Sequence, residues 1–128
     1  MFVLVRDGVR LDCSSQELDE ACRLAIRGRA DLFENDRQVD CLAVLGLDRS
    51  GLFAAPRIGQ LRPTRDEVRA MFRILDMSGA AIARLTGTTS RKVRAWAGDE
   101  ENASWAAWHV MAVYVGLSAP MLGDYPMS

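Results

Sequence analysis

Arg91, Lys92 and Arg94 sit beside Thr89 and Ser90 in the stretch Gly79 to Gly98, which reads GAAIARLTGTTSRKVRAWAG. Wound into a helix, Ser90, Arg91, Arg94 and Ala95 share the outward face and Lys92 lies at its margin. A guanidinium fork matches the paired acceptors on a guanine edge in the major groove, whereas an ammonium or hydroxyl holds a phosphate oxygen without reading sequence. The chemistry predicted is therefore hydrogen bonding to double-stranded DNA. Ser90, Arg91 and Arg94 are the candidate base contacts, and Thr89, Lys92 and Arg84 the candidate phosphate contacts.

A helix with that duty has to be held by its other face. Ala83, Gly87, Val93 and Trp96 stand at the spacing of a helix-turn-helix: a small residue where two helices cross, a glycine in the turn, then two inward side chains three residues apart. The pattern resembles the helix-turn-helix of Cro and phage-repressor regulators, over roughly Pro63 to Gly116. Neighbouring segments agree with the resemblance. Pro63, Thr64 and Glu67 open a helix with a capping box, and Val68, Met71, Phe72 and Leu75 follow at helical spacing. Ser78 suits the N-cap of the next helix, with Ile82, Ala83 and Leu85 inward, and Thr89 suits the N-cap of the one after. A fourth helix is expected from Ser104, showing Trp105, Trp108, Met111, Ala112 and Val115 on one side, with Gly116 at its end. The chain departs from the family in three places. Gly79 replaces a glutamine that often reaches phosphate, Thr86 and Thr88 replace aliphatic residues, and the loop Asp99, Glu100, Glu101 is acidic where DNA would be near.

With 128 residues, 49% of them apolar, the chain can bury one core or two small ones. Its formal net charge is only −1, so distribution carries the argument. From Leu61 to Gly98 the bases Arg62, Arg65, Arg69, Arg73, Arg84, Arg91, Lys92 and Arg94 face only Asp66, Glu67 and Asp76, while acids modestly prevail in the first sixty residues. Arginine is used almost to the exclusion of lysine, which fits the codon bias of a GC-rich bacterial or phage genome. The Arg62, Arg65, Arg69, Arg73 row reads as a solvated helix face paired with Asp66 and Asp76, and Trp105 and Trp108 read as core.

Enzymatic chemistry finds no set of residues. His109 is the single histidine, expected on the surface or half-buried, and Cys13, Cys22 and Cys41 have no histidine near them to act as base. Three widely spaced cysteines without a close pair do not make a zinc site, so free buried thiols are expected, with no metal, no cofactor and no catalytic residue. The opening MFVLVRDG is too short an apolar run for a signal peptide and no segment is long enough for a membrane span, which places the protein in the cytoplasm by expectation.

The chain is expected to divide near Pro56 to Pro63, into an α+β unit over 1–60 and an all-α helix-turn-helix domain with a tail over 61–128. Phe2 to Leu11 reads as a hairpin turned at Asp7-Gly8, and Ser14 with Glu17 as a capping box opening a helix from about Ser15 to Arg27. Val39 to Leu47, then the turn Asp48 to Gly51 and Leu52 to Ala54, favours a second hairpin, with a short helix over Asp40 to Leu45 as the alternative. The first unit is expected to dimerise or to bind a partner, through a sheet edge at Phe2 to Val5 or its apolar helix face; the alternative is a monomer core. The apolar tail Pro120 to Met127 would pack across the domain or a dimer. The whole predicts a bacterial or phage repressor or autoregulator binding an inverted repeat as a homodimer. A protein-interaction module on the same scaffold, antitoxin-like or a phage-encoded inhibitor of a host complex, is the second reading.

Overall fold

The computed structural model describes residues 2–14, 17–53, 62–98 and 100–118. The chain forms an α+β fold of two compact units, residues 1–48 and 49–128. Part of the Pro56 to Pro63 stretch, Ala54 and the Pro120 to Met127 tail lie outside the described residues.

The first unit is an antiparallel sheet with a helix on one face. Strands β1 (Phe2–Arg6) and β2 (Val9–Cys13) meet in the hairpin that Asp7-Gly8 predicted, with φ of 51° and 79° at the two turn residues. Both values are left-handed, as the turn that matches strand twist requires. Helix α1 (Leu18–Arg27) follows, then β3 (Asp31–Glu34) and β4 (Arg37–Gln38), turned at Asn35-Asp36, also left-handed. The strand order is β2-β1-β3-β4. Ala21, Cys22 and Ala25 are buried where α1 packs on β1 and β3, and Phe2 and Leu32 are buried with them.

Several expectations for this unit are corrected. Helix α1 has Glu17, not Ser14, as its N-cap, and the Glu17 side chain makes no cap hydrogen bond; the Glu17 N–H donates to the Ser14 carbonyl. The second hairpin over Val39 to Leu47 is absent. Its place is taken by α2 (Cys41–Leu45), capped by the Asp40 carboxylate on the Ala43 N–H at 3.2 Å and ended by left-handed Gly46. An aspartate at the cap and a glycine just past the end close a helix on this short run, whose two leucines and alanine suit it. The strand Phe2–Arg6 is interior to the sheet, paired on both sides, so it offers no free edge. Of the three thiols only Cys22 is fully buried, and burial first, then the neighbouring Cys41 thiol, pushes its pKa up to about 12.

Among its described residues the second unit holds four helices, α3 (Arg65–Leu75), α4 (Gly79–Thr86), α5 (Ser90–Ala97) and α6 (Trp105–Tyr114). Each starts on the hydroxyl the sequence predicted: Thr64, Ser78, Thr89 and Ser104. Val68, Met71 and Ile74 of α3 and Trp108 and Met111 of α6 are buried together in this unit. Trp108 donates its indole N–H to the Leu52 carbonyl at 3.0 Å and stacks on Phe53, so residues assigned to a first-half hairpin belong to this core. His109 is buried at 3% exposure, stacked on Trp105 with ring centroids 4.7 Å apart, rather than at the surface. Burial holds its imidazole below the usual pKa, which keeps it neutral at pH 7.

One ion pair ties the lead-in segment to α3. Glu67 is buried, and its carboxylate takes Arg49 Nε at 2.9 Å and Arg49 Nη2 at 2.8 Å while closing the capping box on the Thr64 N–H at 2.7 Å. Burial alone would raise this carboxyl; the Arg49 fork and the Thr64 N–H outweigh it and hold the pKa below 4.5. The stability it contributes is therefore complete above that value and is lost as pH falls through the lower, folded-state pKa. Glu67→Gln is expected to cost about 2 kcal/mol at pH 7. In urea titrations the gap to wild type should close in acid; a gap of equal size at pH 3 and pH 7 would contradict the assignment.

Candidate nucleic-acid interface

The geometry of α4 and α5 is fixed by local chemistry. The Ser78 hydroxyl accepts the Ala81 N–H at 3.1 Å to start α4, and Gly87 ends it in the left-handed region at φ 73°. Both Gly87 and Thr88 then return their N–H groups to the Ala83 carbonyl. Thr86, one of the departures from the resembled family, donates its hydroxyl to the Ile82 carbonyl at 2.8 Å and so satisfies itself on its own helix. Thr89 restarts the chain, its oxygen accepting the Lys92 N–H at 3.2 Å.

Helix α5 packs on α4 and α3. Val93 and Trp96 are the buried pair, as their spacing predicted, and Ile82 and Ala83 are buried on α4, with Leu85 half-buried. Arg91, Lys92 and Arg94 are thereby left exposed on α5, with Ser90 half-buried at its start and Arg84 exposed in the last turn of α4. The candidate base contacts Ser90, Arg91 and Arg94 are thus on one short helix with Thr89 and Lys92, and Arg84 precedes them across the turn. No acidic residue occupies the first turn of α5. Its unpaired N–H groups leave a partial positive charge there, which favours an anion.

Sequence reasoning missed two contacts. Arg69 of α3 donates Nε to the Ala97 carbonyl at 2.7 Å, so this member of the arginine row caps the end of α5 rather than pairing with Asp66 or Asp76. Elsewhere in the row Arg65 lies 3.9 Å from Asp66 at the surface. Glu101 in the acidic loop lies 3.6 Å from Lys92 Nζ, both side chains about half exposed. Glu100 and Glu101 are drawn back to α5, their N–H groups donating to the Ala95 carbonyl, while Asp99 lies outside the described residues. Arg69 and Ala97 stand 28 positions apart on different helices and Glu101 lies in the loop after α5, so no helical or strand periodicity carries either signal. Among the described residues neither Arg91 nor Arg94 forms an ion pair.

The described residues hold no group of three or more His, Cys, Asp and Glu placed to bind a metal, and no helix long and apolar enough to cross a membrane. The fold and the site together define an α+β protein whose helical unit presents a cationic helix after a glycine turn. Compared with known proteins, the chain is 30% identical over 59 residues to the transcriptional repressor protein KorC of Escherichia coli, a match spanning 44% of this chain and 69% of that protein. The chain belongs to the family of that repressor. No family model matches it, and no solved structure does.

A side chain at position 87 would meet nothing within 4 Å, so the cost of changing Gly87 is conformational alone. Gly87→Ala is expected to destabilise the second unit by about 1 kcal/mol and Gly87→Asn by less, because asparagine tolerates the left-handed region. Urea midpoints for the two variants check this; equal losses, or none, would contradict it.

Proposed function

We propose that the protein is a sequence-specific DNA-binding transcriptional regulator, a repressor or autoregulator of bacterial or phage origin, acting as a homodimer on an inverted repeat and carrying no enzymatic activity. The observation that carries this reading is the outward face of α5, where Arg91 and Arg94 are exposed while Val93 and Trp96 behind them are buried. Kinship with a transcriptional repressor supports it.

In this reading α5 lies in a major groove. Arg91 and Arg94 meet guanine edges, each bidentate contact worth about 1–3 kcal/mol of discrimination, and Ser90 meets a neighbouring base. Thr89 keeps its hydroxyl hydrogen for a phosphate while its oxygen caps the helix, and Lys92 and Arg84 hold phosphates on either side. Glu101 competes with the backbone for Lys92, so DNA binding exchanges one ion pair for another. That exchange lowers the net gain and restrains non-specific binding. The second reading, a protein-interaction module, draws on this same carboxylate and on the chain's net charge of −1.

Fluorescence anisotropy against the DNA flanking the gene, beside scrambled DNA of equal length, tests the proposal. Tighter, salt-sensitive binding to the native sequence is expected; no preference at low or moderate salt would transfer the case to a protein partner. Arg94→Ala should relax sequence preference, whereas Lys92→Ala should weaken binding to all sequences and flatten the salt dependence. Identical behaviour of the two variants would overturn their assigned roles. Glu101→Gln should raise affinity for native and scrambled DNA alike and leave the salt slope unchanged, because Lys92 meets a phosphate in both proteins; an unchanged affinity would show that Glu101 does not compete for Lys92.

A further inference from the structure

Among the described residues strand β2 lies at an edge of the sheet, paired with β1 alone. Edges are commonly blunted by being short or highly charged, yet β2 runs five residues, VRLDC, with Val9 and Leu11 exposed at 59% and 57%. The register fixes which backbone groups face outward. The two-residue turn closes on Arg6 and Val9, which form a hydrogen-bonded pair, and alternation gives the same status to Leu4 with Leu11 and Phe2 with Cys13. The N–H and C=O groups of Val9, Leu11 and Cys13 are thus spent on β1. Those of Arg10 and Asp12 point to the open edge.

We propose that two copies of this chain join through β2, antiparallel about a twofold axis at Leu11, with Arg10 of each copy opposite Asp12 of the other. The choice of occupant rests on charge complementarity. Pairing through the outward groups of Arg10 and Asp12 permits three twofold registers within the strand: Arg10 opposite itself, Asp12 opposite itself, or Arg10 opposite Asp12. The first two set like charges face to face, which destabilises a strand pair, and the third sets opposite charges face to face twice. That same register brings Leu11 against Leu11 and Val9 against Cys13, which covers the two exposed apolar side chains. The strand is self-complementary in charge, apolar contact and backbone bonding, as a twofold interface has to be. The two four-stranded sheets become one continuous sheet. This inference deepens the homodimer part of the function proposed above and needs no DNA, so it stands or falls apart from DNA binding.

Sedimentation velocity of the full chain without DNA tests it. Wild type is expected to sediment as a dimer. Arg10→Asp and Asp12→Arg, each placing like charges across the axis, should each weaken association by at least about tenfold. Mixing the two single variants restores opposite charges at both positions and should return the dimer, as should the double variant alone, which separates charge from misfolding. A monomeric wild type, single variants that dimerise like wild type, or a mixture that stays monomeric would each overturn the proposal.

Discussion

An eight-residue helix is too short to persist in water by itself, and α5 is such a helix. It exists because Val93 and Trp96 are buried, and that burial also decides which side chains remain outside. Arg91 and Arg94 are not placed by contacts of their own; they are the remainder when the inward face is spent. Loss of a buried tryptophan side chain costs about 3–5 kcal/mol, a large part of a small unit's stability, so position and stability of this helix are one quantity. The caps on either side, Thr89 at the start and Arg69 on the Ala97 carbonyl at the end, fix where the helix begins and stops.

The rest of the helical unit serves the same requirement. Gly87 lets the chain reverse between α4 and α5 at a conformation other residues resist, and Ala83 is buried where bulk would separate the two helices. Arg49, with its fork on Glu67, and Leu52, with its carbonyl on the Trp108 indole, recruit the segment before α3 into the core. Without those contacts α3 and α6 would be backed by less buried surface, and α5 rests on α3.

The parts of this arrangement that are local were legible in the amino-acid sequence. Hydroxyl caps, the capping box at Thr64 and Glu67, the Gly87 turn and the Val93/Trp96 stripe all arise from residues within a few positions of one another. The Asp7-Gly8 turn was legible for the same reason. What escaped was non-local or finely balanced. The apolar run that contains Cys41–Leu45 is too short for periodicity to tell strand from helix, and its cap and terminal glycine settle it as helix. The Asn35-Asp36 turn lacks glycine, so β4 gave no signal, and without β3 on its far side β1 reads as an edge. His109 stands on a helix apolar nearly all round, which leaves no polar face for it to occupy. The Lys92–Glu101 and Arg69–Ala97 contacts needed the tertiary fold before they existed at all.

In the proposed function α5 reads base edges. Methylation interference at guanine N7 on the DNA flanking the gene tests it most directly, because a methyl group there blocks a guanidinium in the major groove. A few guanines, symmetrically placed, should block wild-type binding when methylated, and Arg94→Ala should make binding indifferent to one symmetric pair of them. Wild-type binding that ignores methylation at every guanine would contradict it.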